Sequence, residues 1–142
     1  NSVRKINDLI KKRDFWMPFT PSILDENFDN YVVDPKNSSQ AFMTVTYDTT
    51  PLGRTHLAGA VHPYDYTVRP QRVTKNTCPI YHGIISEFKK LTGVGALLNT
   101  SLNIHGKPIV SQPNDLLAEI LVVGIPLNYL YIQGVLYKRI AP

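Results

Sequence analysis

Leu97-Leu98-Asn99-Thr100-Ser101-Leu102-Asn103-Ile104-His105-Gly106-Lys107-Pro108-Ile109-Val110 is the stretch whose reading decides the fold. A short apolar run from Gly95 to Leu98 stops at a cluster of small hydrogen-bonding side chains. A His105-Gly106 turn and Pro108 then lead into a second apolar pair. A buried strand whose carboxyl end opens into a polar loop has this pattern, and open α/β sheets place ligands at such ends. Taken alone, Ser101 and Asn103 have an ordinary explanation as side chains that cap the backbone.

On the C-terminal side, Pro113 starts a helix that runs through Val123, with Gly124 as its stop. Its apolar positions include Leu116, Leu117, Ile120, Leu121 and Val123. Tyr129–Ile132 and Val135–Arg139 read as strands, with Gln133-Gly134 suited to a tight turn between them. On the N-terminal side, residues 79–91 form the clearest helix: Thr77 caps, Pro79 sits in the first turn and Gly93 closes. Its expected core face is Ile80, Ile84, Ile85, Phe88 and Leu91. Residues 57–62 and 67–73 read as strands, the second carrying Arg69 and Arg72. Residues 41–48 alternate as a strand does, and residues 49–54, which hold a Pro and a Gly, read as a loop, as does the polar run 35–40.

Nearer the start, residues 25–31 suit a short helix with Phe28 and Tyr31 on one side. Pro18 and Pro21 make residues 14–24 an extended, aromatic, buried segment. Val3, Ile6, Leu9 and Ile10 recur at helical spacing behind Ser2 as N-cap, so residues 3–12 read as an amphipathic helix. Lys11, Lys12 and Arg13 close it, where cations favour the helix dipole. The expected fold is α/β or α+β: a twisted mixed sheet of about six strands flanked by helices, in a single domain over residues 1–142.

Composition narrows the partners. The 142 residues are 43% hydrophobic and 18% charged, which describes a globular chain. Lys and Arg exceed Asp and Glu by 15 to 11, an excess that favours anionic partners without separating nucleotide, RNA and phosphate. Cys78 is the only cysteine, so an intrachain disulfide is excluded and a reducing, cytoplasmic setting is the default. No apolar run approaches the ~18 residues of a membrane span, and no signal peptide is legible. The first residue is Asn1 and a helical pattern begins almost at once, which leads us to expect an excised domain with an N-terminal neighbour.

Several chemistries are excluded or weakened by spacing. Ser101 lacks the flanking glycines that a nucleophile elbow requires. His56, His62, His82 and His105 form no compact pair at metal-ligand spacing, so no metal site of this chain alone is expected. His105, directly after the polar loop, is either a ligand contact or a turn residue. Cys78 stands at a helix start, where thiolates are stabilised, but no base accompanies it and packing is the simpler role. Gly93-Val94-Gly95 lacks the rest of a phosphate-binding glycine loop. Any phosphate site must therefore be made by side chains, for which the bidentate fork of Arg is suited.

Three motifs, taken together, carry a resemblance. They are Lys11-Lys12-Arg13-Asp14-Phe15-Trp16-Met17-Pro18-Phe19-Thr20-Pro21-Ser22, Tyr66-Thr67-Val68-Arg69-Pro70-Gln71, and the stretch from Leu98 to Val110. In this order the chain resembles, over nearly its whole length, the C-terminal domain of the O-carbamoyltransferase family, which includes nodulation-factor and antibiotic carbamoyltransferases. That domain is similar to the YrdC-like fold of threonylcarbamoyl-adenylate synthases, whose pocket carries a Lys-x-Arg pair and a Ser-x-Asn pair.

The resemblance implies that carbamoyl phosphate is cleaved and that the carbamate attacks ATP, with Mg²⁺, to give carbamoyl-adenylate and pyrophosphate. A preceding actin-like ATPase-fold domain, outside this sequence, would pass the carbamoyl group to a hydroxyl acceptor. By the same resemblance Lys11, Arg13, Ser101 and Asn103 are the catalytic positions. Lys12, Arg69, Asn99, Thr100 and His105 are the further substrate- or nucleotide-binding positions. Either Lys11 or Lys12 could face the pocket. Lys107 stands where many relatives carry an acidic residue. The competing readings are a nucleotide- or RNA-binding module without activity of its own, with RNA the less favoured partner, and a docking domain whose motif residues only cap and pack.

Overall fold

The computed structural model describes residues 2–12, 14, 17, 19–34, 40–123 and 127–140. Two compact units divide the chain: Pro18–Thr100, and Asn1–Met17 together with Ser101–Pro142. The fold is α+β.

The unit of residues 18–100 is built on two three-stranded sheets. In the first, strand β1 (Thr20–Leu24) is central. It pairs in parallel with β5 (Gln71–Val73) and antiparallel with β6 (Ala96–Asn99). In the second, β2 (Val32–Val33), β3 (Tyr47–Thr49) and β4 (Thr67–Val68) are antiparallel. The expected single sheet is thus divided. Pro70 explains the division: it cannot donate to a ladder, and the chain leaves one sheet before it and enters the other after it.

Alternation along β1 sorts the core. Ile23 joins Phe28, Tyr31, Val32, Tyr47, Leu57, Val68 and Ala96 in one buried cluster. Leu24 turns to the opposite face and packs with Val73, Leu97 and, from helix α4 (Pro79–Thr92), Tyr81 and Ile85. Of the face expected for this helix only Ile85 is fully buried, whereas Ile80, Ile84 and Leu91 are exposed. The reason is width, since strands of three to five residues cannot cover a helix of fourteen. Gly93 closes the helix at φ 78° as expected. Its N-cap is Cys78 rather than Thr77, because the Thr77 hydroxyl shares a 2.7 Å hydrogen bond with that of Thr74.

Further expectations need correction. Residues 49–54 are not a loop: α3 (Pro51–His56) starts behind Thr50, whose hydroxyl accepts from Gly53 N at 2.9 Å. Residues 57–61 form turns after that helix, not a strand. Of the alternating residues 41–48 only the end enters β3, because Met43 is left-handed (φ 55°) and breaks the extended run. Residues 25–31 do form a short helical stretch, a 3₁₀ turn followed by α2 (Phe28–Tyr31), with both aromatics buried. Most of the polar run 35–40 lies outside the described residues, as do Phe15, Trp16 and Pro18.

In the other unit, α1 (Ser2–Lys5) leads directly into a π-helical turn, Ile6–Lys11. Ser2 is already helical rather than an N-cap. Helix α5 (Pro113–Val123) spans the expected residues, with Leu116 buried. The hairpin β7 (Tyr129–Ile132) and β8 (Val135–Lys138) turns at Gln133 (φ 49°) and Gly134 (φ 86°). Two consecutive positive φ values match the right-handed twist of the strands.

Candidate functional site

Where the first helix ends, its geometry separates the two lysines. The π-turn finishes at Lys11, and Lys12 follows in the left-handed region (φ 50°, ψ 48°) with its N–H on Asn7 O. Single π-turns recur at functional sites because they redirect a side chain. Lys11 is 3% exposed, whereas Lys12 is exposed.

Buried Lys11 grips the polar loop. Its Nζ donates to Ser101 O at 2.6 Å, Asn103 O at 2.7 Å, Asn103 Oδ1 at 2.8 Å and Ser101 Oγ at 3.2 Å. Its own carbonyl accepts from His105 N at 2.9 Å. Ser101 Oγ in turn donates to Asn103 Oδ1 at 2.6 Å, and Asn103 Nδ2 donates to Lys107 O at 2.7 Å. A turn closes the loop, with Lys107 N on Ile104 O and Gly106 at φ 81°. Burying an ammonium requires that its protons be satisfied, and this cradle does so with oxygens of Ser101 and Asn103. The motif pair is therefore one assembly: the cation sets the loop, and the loop holds the cation.

Four of the predicted positions meet here: Lys11, Ser101, Asn103 and, through its main chain, His105. Lys12 is exposed and takes no part in these hydrogen bonds, and Arg13 lies outside the described residues.

Arg69, Asn99 and Thr100 belong to the other unit. Arg69 is exposed between β4 and β5 instead of within a strand. Thr100 is exposed just beyond β6. Arg72 is structural: it pairs with Asp25 at 2.7 Å and Asp29 at 3.4 Å and stacks over the Phe28 ring. Asn99 belongs to a polar group that the sequence reading did not assemble. Asn99 Nδ2 donates to Ser22 Oγ at 3.0 Å and Gln71 Oε1 at 3.1 Å, and Ser22 Oγ donates to Gln71 Oε1 at 2.8 Å. Thr20 Oγ1 adds a bond to Asn99 O at 3.1 Å. Ser22 and Gln71 were visible as polar residues ending two of the three quoted motifs, and the strand register sets them opposite each other.

Among the described residues no three His, Cys, Asp or Glu side chains converge on a metal position. Three of the four histidines have local side-chain partners: His56 Nδ1 with Tyr31 OH (3.1 Å), His62 Nδ1 with Asp65 (3.0 Å) and His82 Nε2 with Glu26 (3.1 Å). Two carboxylates are shifted. Asp65 is lowered by the main-chain N–H and hydroxyl of Thr67 and by His62. Burial would raise Glu26, but its own main-chain N–H, His82 and Lys89 outweigh that and lower it.

Residues 1–139 match the family described as Carbamoyltransferase C-terminus. The chain belongs to this family. The carbamoyltransferase C-terminal domain is also 33% identical over 135 residues, 95% of its length, to an uncharacterised protein of Methanocaldococcus jannaschii. It is 36% identical over 123 residues to the nodulation protein NolNO of Sinorhizobium fredii. With the nodulation protein NolO of Bradyrhizobium diazoefficiens the identity is 34% over 122 residues. The last two matches each cover 85% of this chain. The three matches occupy 21%, 18% and 22% of those proteins, so this carbamoyltransferase C-terminal domain spans about a fifth of the length of the curated relatives it matches. No helix among its described residues is long and apolar enough to cross a membrane.

Proposed function

We propose that this domain activates the carbamoyl group, forming carbamoyl-adenylate from carbamoyl phosphate and ATP. Water releases phosphate from carbamoyl phosphate and leaves carbamate. A carbamate oxygen then bonds to the α-phosphorus of ATP while the bond to pyrophosphate breaks. Both steps need charge stabilisation at oxygen far more than covalent help. The Lys11–Ser101–Asn103 assembly, in a chain of this family, is the observation that supports the reading.

The residues fit phosphate-bearing substrates. Lys11 supplies a fixed positive charge beside a loop whose Ser101 hydroxyl is on the surface. Of its hydrogen bonds to the loop, that to Ser101 Oγ is the longest, so it is the one an anionic oxygen displaces with least loss. By the family resemblance Arg13 and Arg69 are assigned to phosphate, and Asn99, Thr100 and His105 to other substrate or nucleotide groups. Magnesium would travel with the nucleotide, held chiefly by its phosphates and waters. Transfer to a hydroxyl acceptor is assigned to a preceding domain of a longer protein.

The test is pyrophosphate–ATP exchange with and without carbamoyl phosphate, in wild type and in Ser101→Ala. Exchange that requires carbamoyl phosphate and falls at least tenfold in Ser101→Ala supports the reading. Salt-sensitive RNA binding without exchange would favour a nucleic-acid module instead.

A further inference from the structure

At one end of the β5-β1-β6 sheet lies a hydrogen-bond relay with a fixed direction. It begins at a main-chain carbonyl, which can only accept: Ala41 O takes a proton from Gln71 Nε2 at 3.3 Å. That contact turns Gln71 Oε1 toward the sheet, where it accepts from both Ser22 Oγ and Asn99 Nδ2. Ser22 Oγ, having given its proton to Gln71, accepts from Asn99 Nδ2. Ser22 is fully buried and stands opposite Gln71 in parallel register, so the pair is held by the ladder itself. Reversing the Asn99 amide would set its oxygen 3.1 Å from Gln71 Oε1, acceptor against acceptor. The neighbours therefore decide which way Asn99 points.

An amide nitrogen has two protons to give, and both are taken at Asn99, whose Nδ2 reaches Ser22 Oγ, Gln71 Oε1 and, at 3.7 Å, Met43 Sδ. What it can present is Oδ1, an acceptor alone. Asn99 is half-buried, ends β6, and precedes Thr100 and the Ser101 loop in the chain. Among the described residues nothing donates to that oxygen. A site meant for phosphate or carboxylate oxygen would present N–H here, whereas this arrangement repels such oxygens and favours a proton donor.

We propose that Asn99 Oδ1 accepts a hydrogen bond from an amino group of the substrate, with Gln71 and Ser22 as positioning residues that hold the amide in that sense. The proposal rests on the carbamoyl-activation reading. Two groups of that reaction carry the chemistry: the amino group of carbamoyl phosphate and the exocyclic amine of adenine. An acceptor built this way rejects the isostere that lacks the proton, because Oδ1 would then be desolvated with nothing to take. It is thus a specificity determinant, separating carbamoyl from acetyl, or adenine from hypoxanthine.

The experiment measures equilibrium binding to the full-length protein of carbamoyl phosphate against acetyl phosphate, and of ATP against inosine triphosphate. Wild type is compared with Asn99→Leu, Gln71→Glu and Gln71→Leu. In wild type the amino-bearing member of at least one pair binds more tightly, and Asn99→Leu lowers that preference by about ten- to a hundredfold. Gln71→Glu keeps an acceptor for Ser22 and Asn99 and retains the preference, while Gln71→Leu frees the amide and loses part of it.

Loss confined to the phosphate pair assigns the carbamoyl amino group, and loss confined to the nucleotide pair assigns adenine. Either sustains the proposal. Unchanged preferences in a folded Asn99→Leu protein overturn it. Should that variant fail to fold, equal preferences in Gln71→Glu and Gln71→Leu overturn it. Exchange activity that persists beside unchanged preferences removes this inference and leaves the activation reading standing. A wild type that binds none of the four ligands removes both.

Discussion

The side-chain nitrogen of Lys11 lies 2.6 Å from the carbonyl oxygen of Ser101, ninety residues along the chain. This contact makes the shape of the Ser101–Asn103 loop depend on a single buried cation from the first helix.

Lys11 and Lys12 should therefore separate on substitution. Lys11→Ala orphans the carbonyls of Ser101 and Asn103 and is expected to cost about 1–3 kcal/mol, with loss of phosphate-ligand binding. Lys12 is exposed and left-handed, so Lys12→Gly relieves backbone strain and should gain about 0.5–1 kcal/mol with binding retained. Urea denaturation and ligand titration of both variants check this. Equal binding losses in the two would contradict it.

Gly53 is required by a close approach. A Cβ there would meet the main-chain carbonyl of Tyr31, an oxygen that already accepts from Thr50 N at 3.0 Å. Gly53→Ala should destabilise by about 1–3 kcal/mol, read by denaturant midpoint.

The phenol of Tyr31 ties helix α2 to the start of β6. Its oxygen accepts from Gly95 N at 3.0 Å and shares a hydrogen bond with His56. Tyr31→Phe leaves a buried N–H without that partner and should cost about 1–3 kcal/mol. Amide exchange should show faster opening at Gly95.

Glu26 predicts the sign of one pH dependence. Its folded pKa lies below the ordinary 4.5 because its own main-chain N–H, His82 and Lys89 outweigh burial. Its stabilising contribution is complete above the unfolded value and fades as pH falls from there through the lower folded value. Glu26→Gln should narrow the stability difference between pH 6 and pH 3.5. A variant with the same pH profile as wild type would show that Glu26 does not contribute.

Long elements with clear boundaries were legible from sequence. Pro79 and Gly93 bracket α4, Pro113 opens α5, and Gln133-Gly134 makes the hairpin turn, each through local backbone chemistry. Short elements are ambiguous in sequence where one residue type serves two conformations. Pro51 and Gly53 looked like loop residues, yet Pro51 is a first-turn proline behind the Thr50 cap, and Gly53 is there for the approach to Tyr31. Pro70 hides a change of sheet inside what reads as one strand. At the site, the Ser-x-Asn loop stood out in the sequence, but the choice between Lys11 and Lys12 depends on a π-turn that no periodicity announces. The Ser22–Gln71–Asn99 relay depends on strand register, which no single segment encodes.

The most direct measurement is pyrophosphate–ATP exchange by the full-length protein, with and without carbamoyl phosphate. Activation by this domain predicts exchange only when carbamoyl phosphate is present, and its loss in Lys11→Ala and Ser101→Ala. Exchange that is absent, or indifferent to carbamoyl phosphate, would contradict the account.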